Sequence, residues 1–400
     1  MARSRPLLLC LLALAPACLV TVDPFPGSDG GAQVRDGALA TADGSAVRTD
    51  GAVPAGADGS TAGTDAAQPP GPDAALPPDA AADPCASVAC GANAHCDPSP
   101  PRCVCSPGFV QDAGGACVPV DPGDPSLHTE QQVCDAYRQG IVRATGTVFT
   151  PGAAQCDPGT LSREGLDEAV RRLNMFRYFV GLGPVTDNQS DDDADQACSV
   201  ICAWNPAGSQ AHNPATTATC YTALGAGGAG SSNIAWGCSN PGDCMDQWIN
   251  DWGNETTYGH RRWMLYPPLD PIGYGLYIGG NNYGACSCLR VFNWGNTGRR
   301  PSWYAFPPPG FVPDAYASYV WTLHGAVPGG TTAEVTRVSD GAALAVGVTW
   351  LTGSYGDPAI SIDRTGWSPA AGETYHVKIV GGTAPNLVTI EYDVKPVSCP

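Results

Sequence analysis

Basic side chains are scarce in this sequence. Its 400 residues include 20 Lys and Arg against 38 Asp and Glu, so the formal net charge is −18. Proteins that bind DNA or RNA neutralise phosphates with clustered lysines and arginines, and this sequence has no basic stripe. We therefore expect no nucleic-acid partner.

The N-terminal apolar run is too short to cross a membrane as a helix. It extends over Leu7–Leu14, follows two arginines and precedes an Ala-Pro-Ala triplet. Such a run predicts a signal peptide at residues 1–17, which directs the chain out of the cytoplasm. Cys18 comes next, which favours lipid attachment at Cys18 and a cell-surface or outer-membrane lipoprotein. Secretion with an unmodified Cys18 is the alternative.

Aromatic residues are missing from the segment that follows Phe25 and continues to residue 84. Residues 18–84 consist mainly of Ala, Gly, Asp, Pro and Thr. A segment of this composition cannot bury enough apolar surface to fold. We therefore expect a disordered acidic tether.

Cysteine, in contrast, is abundant. The chain contains 18 cysteines, of which Cys10 lies in the predicted signal peptide and Cys18 is assigned to the lipid. The remaining sixteen are an even number and fit eight disulfides in an oxidising compartment, which supports export.

Six of these cysteines form a dense cluster at residues 85–120. The gaps between them are four, five, six, one and eleven residues, and Gly108-Phe109 follows the Cys-x-Cys pair. This pattern resembles an EGF-like domain. The resemblance implies the disulfides Cys85–Cys96, Cys90–Cys103 and Cys105–Cys117. A module of this size depends on its bridges, because it has little core. The residues before the first cysteine lack the acidic cluster of calcium-binding forms, so we expect no calcium.

Residues 161–300 have helical patterns followed by short strand patterns. Apolar residues at helical spacing predict a helix from Glu164 that ends at Gly181, and further helices after Ser190 and near Pro241. The third helix is expected to bury Trp248 and Trp252. The segments that predict strands are Ile272–Ile278 and Cys286–Phe292. Together these elements predict an α+β fold.

Gly225–Gly230 is a glycine-rich stretch within this region. We expect it to form a flexible loop. No Lys-Ser or Lys-Thr pair follows it, so it does not have the pattern of a phosphate-binding loop.

Five motifs in this region occur in a specific order. They are Asn174-x-x-Arg177-x-x-x-Gly181-Leu182-x-Pro184, His212, Asn233-Ile234-Ala235, Gly259-His260-Arg261 and Ile272-Gly273-x-Gly275. Their order resembles the CAP superfamily of cysteine-rich secretory, antigen 5 and pathogenesis-related proteins, in its bacterial form. The resemblance implies an αβα sandwich over residues 161–300, after a connector at residues 121–160. It also implies a cleft with two histidines and two acidic residues, which in some members bind a divalent metal.

The resemblance assigns residues of this chain to that cleft. His212 and His260 match the two histidines. Ser232, next to Asn233, occupies the position of the first acidic residue. The second acidic position matches Asp251, with Glu255 as the alternative. The only other glutamates between residues 150 and 300 belong to the first helix, so this chain cannot form a two-glutamate cleft.

Two interpretations of the histidine pair remain open. His212 and His260 with one carboxylate and a water could bind zinc or another divalent cation, although catalytic zinc usually has three protein ligands. Alternatively, both rings form hydrogen bonds in a polar cleft and bind no metal.

In the last hundred residues, apolar side chains recur at the two-residue period of β-strands. Apolar residues alternate around Val346, Val377 and Ile390, with a turn at Ser339-Asp340-Gly341. This pattern predicts a β-sandwich of immunoglobulin-like size at residues 301–400. No catalytic constellation is found in it.

Together these features favour an exported, lipid-anchored surface protein that binds or adheres to an extracellular protein, glycan or lipid. A metal-dependent extracellular hydrolase that uses His212 and His260 is one alternative, and an apolar-ligand or sterol binder is another. The serine at position 232 and the lack of a placed nucleophile favour binding over catalysis.

Overall fold

A computed structural model describes residues 85–400 except 86, 92, 99, 209, 210, 281, 282, 328 and 384. The predicted signal peptide, Cys18 and the predicted tether lie outside the described residues. Within the described part of the chain, no helix is long and apolar enough to cross a membrane.

The N-terminal region consists of two small hairpins. Its strands are β1 (Ala94–Pro98), β2 (Pro101–Cys105), β3 (Phe109–Gln111) and β4 (Cys117–Pro119). The disulfides of this region are Cys85–Cys96, Cys90–Cys103 and Cys105–Cys117, the pairs that the EGF-like resemblance implied. Because few of its side chains are buried, these bridges are its main support.

The segment predicted as a connector forms a helix and a short hairpin. Its elements are α1 (Glu130–Gly140), β5 (Phe149–Thr150) and β6 (Thr160–Leu161). Thr129 and Gln132 form a capping box that satisfies backbone N–H groups at the start of α1. Val133 and Ala136 lie in the main hydrophobic core, and Cys134 is bonded to Cys399.

The central region packs helices against a three-stranded sheet. Its elements are α2 (Arg163–Phe179), α3 (Gln189–Trp204), α4 (Ala223–Ala229), β7 (Ser232–Trp236), α5 (Pro241–Asn250), α6 (Gly259–Met264), β8 (Tyr274–Ile278) and β9 (Ala285–Arg290). The sheet order is β7-β9-β8, and all pairings are antiparallel. The three predicted helices and two predicted strands are confirmed, and so is the mixed helix-and-strand class.

Two disulfides join α3 to β9. Cys198 is bonded to Cys288, and Cys202 to Cys286. Positions four apart on a helix and two apart on a strand each share a face, so two bridges fit side by side. All sixteen cysteines from Cys85 onward are paired, which confirms the expected eight disulfides.

Gly225–Gly230 was expected to form a loop, and that expectation is wrong. The glycines belong to α4, which lies against α3. A Cβ atom on Gly225 would be 2.7 Å from the Ala197 carbonyl oxygen, and one on Gly228 would be 2.4 Å from that of Ala194. The glycines therefore allow two helices to pack closely.

Trp252 was expected to be buried on α5, and this is also wrong. The helix ends at Asn250, and Asp251 adopts a left-handed conformation with φ of 54°. The change of direction turns Trp252 away from the core, so that 87% of its surface is exposed. Trp248, one turn earlier, is buried as expected.

The C-terminal region contains two sheets and one short helix. Its elements are β10 (Trp303–Phe306), β11 (Gly310–Pro313), α7 (Asp314–Ala317), β12 (Trp321–Gly325), β13 (Thr332–Arg337), β14 (Ala342–Leu344), β15 (Val346–Trp350), β16 (Ala359–Arg364), β17 (Tyr375–Thr383) and β18 (Asn386–Val397). The sheet orders are β10-β12-β16-β15 and β11-β18-β17-β13-β14. The ring of Trp321 in the first sheet meets that of Tyr375 in the second at 6.1 Å, so the sheets pack face to face.

Candidate functional site

His260 lies in the first turn of α6 and contacts Asp251. The Asp251 Oδ1 atom is 2.7 Å from Nδ1 of His260, and Oδ2 accepts the backbone N–H of His260 at 3.0 Å. The N–H of Arg261 and the Nδ2 of Asn254 also donate to this carboxylate, at 3.3 and 2.9 Å. The buried Asp251 thus satisfies backbone donors that a helix start leaves without partners.

The hydrogen bond to Asp251 sets the proton position on the His260 ring. A carboxylate oxygen only accepts, so Nδ1 donates and Nε2 of the neutral ring carries a lone pair. The His260 side chain is 25% exposed and the Asp251 side chain is fully buried. Histidines that bind metals or accept protons use this arrangement, in which a second group orients the ring.

The loop between α5 and α6 contains two residues in the left-handed region. Asp251 has φ of 54° and Tyr258 has φ of 43°. This conformation is costly for residues with a side chain and is found most often at functional sites and tight turns. The N–H of Tyr258 donates to the Asn254 carbonyl at 2.7 Å, which closes the loop.

Glu255, the alternative to Asp251, has no hydrogen bond to His260 among those described. It is exposed, and its Oε1 accepts the backbone N–H of Gly253 at 2.8 Å. Asn233 does reach the site, because its Nδ2 donates to the His260 carbonyl oxygen at 3.1 Å. Asp251, Asn233 and His260 therefore lie together.

His212 lies in the loop between α3 and α4. Its Nδ1 is 3.0 Å from the carbonyl oxygen of Ala229. A carbonyl oxygen only accepts, so this ring, like that of His260, keeps its Nε2 lone pair when neutral. The residue is exposed to solvent. That His212 and His260 face one cleft stays a prediction.

Ser232 is buried and contacts an acidic residue that the sequence reasoning missed. Its Oγ is 2.6 Å from Oδ1 of Asp195 on α3 and 2.7 Å from the carbonyl oxygen of Gly228. The other carboxylate oxygen of Asp195 accepts the N–H of Arg290 at 2.7 Å. The Ser232 hydroxyl has one proton and can donate it to only one acceptor at a time. Both short contacts are satisfied when Asp195 is protonated and donates to Ser232, which donates to Gly228.

Burial raises the pKa of Asp195 to about 7, which agrees with this hydrogen-bond pattern. Burial also raises the pKa of Asp192 to about 7, one turn earlier on α3. Asp192 and Asp195 are three residues apart on a helix that packs against a sheet, and this spacing is the sequence signal that could have identified them. Charged residues three apart in a buried stripe are unusual.

The described residues supply two imidazole ligands for a metal but no obvious third. No group of three His, Cys, Asp or Glu side chains in the described part of the chain is arranged to hold a metal ion. Both oxygens of Asp251 already accept N–H donors. The described residues therefore show no three-ligand zinc site, and a metal bound by His212 and His260 together stays a prediction.

Arg261 and Arg262 join the site to the C-terminal sheets. Arg261 Nη1 donates to the carbonyl oxygen of Val320 at 2.6 Å and to Oγ1 of Thr322 at 3.2 Å. Arg262 donates to the carbonyl oxygens of Thr352, Gly353 and Asp357 at 2.7 to 3.2 Å. The sequence analysis gave these arginines no role, although both directly follow His260.

Comparison with known proteins agrees with this geometry. Residues 170–290 match the family model described as CAP, the cysteine-rich secretory protein family, which covers less than half of the chain. No curated protein and no solved structure matches the chain. Members of this family are secreted, and eight disulfides are typical of an oxidising compartment. Residues 170–290 are therefore similar to the CAP domain of the cysteine-rich secretory protein family, and the eight disulfides are typical of an extracellular protein.

Proposed function

We propose that this is an exported, surface-anchored bacterial protein that binds an extracellular ligand beside His260. The observation that supports this best is the Asp251–His260 pair, in which Asp251 orients the ring so that Nε2 can accept a hydrogen bond. Trp252 directly follows Asp251 in the chain, and its side chain is almost fully exposed. An oriented polar group and an exposed tryptophan are both typical of ligand-binding surfaces.

Binding is favoured over hydrolysis because the described residues place no activated nucleophile at His260. Every cysteine from Cys85 onward is in a disulfide. The hydroxyl of Ser232 is buried against Asp195 and Gly228. A hydrolase would need a serine, a cysteine or an activated water within reach of the histidine.

The test compares the full chain with single variants on three ligand classes: polysaccharides, peptides and lipid vesicles with and without sterol. We expect one class to bind, and His260→Ala and Trp252→Ala to weaken its binding at least 10-fold. Trp350→Ala is the matched control, because Trp350 is an exposed tryptophan on the edge strand β15. Turnover of any ligand that is lost in His260→Ala would instead establish the hydrolase alternative.

A divalent metal at His212 and His260 is a second candidate, supported by the Nδ1 hydrogen bonds of both rings. Metal-bound histidines usually donate the other ring N–H to a carboxylate or carbonyl, as these two do. We expect zinc to bind weakly, because two neutral ligands without a carboxylate make a poor site.

Calorimetric titration with zinc checks this expectation. Binding should weaken at acidic pH, because protonated imidazoles cannot ligate a metal. His212→Ala and His260→Ala should each abolish it, whereas His376→Ala, which alters an exposed histidine paired with Asp393, should not. Tight binding that survives either cleft variant would contradict the assignment.

Membrane attachment through Cys18 is part of this proposal. The thiol follows the predicted cleavage point, and acyl chains stabilise membrane binding by about 0.8 kcal/mol per buried CH₂. Mass spectrometry of the mature N terminus should find Cys18 acylated, and Cys18→Ala should release the protein into the medium. An unmodified Cys18 in soluble protein would contradict attachment and leave the binding test unaffected.

A further inference from the structure

Five aromatic rings lie in contact where α6 and the segment after β9 meet the loop between β15 and β16. We call Trp263, Tyr266, Phe292, Trp294 and Tyr355 the aromatic row. Trp263 is at the centre, with ring centroids 4.8 Å from Phe292, 5.9 Å from Tyr266 and 6.4 Å from Tyr355. Tyr266 in turn lies 6.4 Å from Trp294. The edge-to-face angles are those that aromatic rings prefer, so the rings support one another in a fixed arrangement.

Phe292 and Trp294 are open to solvent, whereas Trp263, Tyr266 and Tyr355 are half-buried. Phe292 is 44% exposed and Trp294 is 60% exposed. A single exposed apolar residue needs no explanation, but a contiguous set of large rings marks an interaction surface. The rings come from three separate parts of the sequence, so the surface is a product of the fold.

Arginines flank the row in an otherwise acidic protein. Between Asp270 and Asp314 the sequence contains no Asp or Glu, although the chain as a whole has 38. Arg290 Nε donates to Oδ1 of Asn293 at 3.4 Å, and Arg300 Nη2 donates to the carbonyl oxygen of Asn296 at 2.8 Å. These asparagines lie on either side of Trp294.

The two arginines differ in how far their charge is neutralised. Arg290 is paired with Asp191 at 3.3 Å. Arg300 is exposed and donates a hydrogen bond to a neutral carbonyl oxygen, so its charge can still attract an anion. Asp357 is close enough to interact with the charge of Arg300, and its Oδ2 accepts a hydrogen bond from the Tyr304 hydroxyl. The exposed guanidinium of Arg300 is therefore the feature of this end of the row that can attract an anion.

We propose that the aromatic row binds an acidic polysaccharide whose sugars carry carboxylates. The C–H faces of pyranose rings pack on exposed aromatic rings, where many weak dispersion contacts add up. A uronate carboxylate next to Trp294 would meet the guanidinium of Arg300, which recognises carboxylates through paired N–H donors. This charge complementarity selects an anionic glycan over a neutral one. The proposal does not rest on the His260 cleft.

The test uses the full chain and polygalacturonate, with methyl-esterified polygalacturonate as the matched neutral ligand. We expect binding to polygalacturonate that weakens at least 10-fold in Trp294→Ala and at least 5-fold in Arg300→Gln. The methyl ester should bind at least 5-fold more weakly than the acid, and the binding constant should fall with added salt. Controls are Trp350→Ala and Arg337→Gln, exposed residues of the C-terminal sheets that should leave binding unchanged.

Several results would overturn the proposal. One is equal binding of the acid and the ester, which would make the site one for neutral glycans. Another is no binding of either ligand by wild type while circular dichroism shows it to be folded. A third is sedimentation showing a dimer that Trp294→Ala disrupts, which would make the row an interface between two copies. His260→Ala should not change polygalacturonate binding, so this test is separate from that of the proposed function.

Discussion

Arg261→Met is expected to cost about 5 kcal/mol of unfolding free energy, more than any surface substitution in this protein. The guanidinium is fully buried and donates to the carbonyl oxygens of Ile249, Asn250 and Val320 and to the hydroxyl of Thr322. No carboxylate is among these partners, and burial lowers the pKa of Arg261 to about 10. Removing the donors leaves several buried acceptors unsatisfied, at about 1–3 kcal/mol each.

Urea unfolding monitored by tryptophan fluorescence measures this loss. Arg261→Lys should recover only part of it, because one ammonium cannot reach acceptors on α5 and β12 at once. Arg337→Met is the control, since Arg337 is exposed and pairs with Asp340 three residues away. An Arg261→Met unfolding free energy within about 1 kcal/mol of wild type would show that the acceptors find water or other donors.

Arg261 also connects the region of residues 161–300 to the C-terminal sheets. The guanidinium carbon of Arg261 is 5.0 Å from the ring centroid of Tyr258 in the loop before α6 and 5.0 Å from that of Phe306 in β10. Thr322, which accepts from Arg261, is 2.8 Å from Nε2 of His324. Burial lowers the pKa of His324 well below its usual value, so this histidine is neutral. The His260 loop is thus supported from both regions.

The elements of this fold were predictable where local patterns decide them. The helix that starts at Arg163 has its cap at Ser162, its apolar stripe and its stop at Gly181 within one continuous stretch. Strand alternation around Val377 is likewise visible in the sequence, and so was the cysteine count. These features depend on residues that are neighbours in the chain.

The errors have a common cause, which is contact between distant residues. The glycines of α4 form a helix because α3 lies against them, and propensity alone disfavours glycine in helices. Trp252 follows helical spacing, but the capping geometry of Asp251 ends the helix first. Tertiary contacts override local preference in both cases.

Ser232 illustrates the same limit at the candidate site. The family pattern places an acidic residue there, and the sequence analysis assigned Ser232 to that position in the cleft. The structure instead buries Ser232 against Asp195, which is 37 positions earlier in the chain. A glutamate at position 232 would bring a second carboxylate into this buried contact, so we expect it to destabilise the fold. Nothing in the local sequence identifies that partner.

Asp195→Asn is expected to stabilise the protein above pH 7 and to have little effect near pH 4. Folding raises the pKa of Asp195 from 3.8 to about 7, because burial penalises the charged carboxylate. The folded state therefore holds a proton that the unfolded state releases, and wild type loses stability as pH rises from about 4 to about 7. A shift of this size is worth about 4 kcal/mol, and asparagine avoids the loss because it does not ionise.

The asparagine can also reproduce the hydrogen bonds of the protonated acid. Its amide N–H₂ would donate to Ser232, and its carbonyl oxygen would accept the N–H of Arg290, as Asp195 does. Unfolding free energies of wild type and variant at pH 4, 6 and 8 give the difference directly. Asp193→Asn is the control, because Asp193 is an exposed carboxylate on the same helix. If the Asp195→Asn advantage does not grow between pH 4 and pH 8, Asp195 is ionised in the folded protein. Arg290 would then have to compensate its charge, and the proton shared with Ser232 would belong to the serine alone.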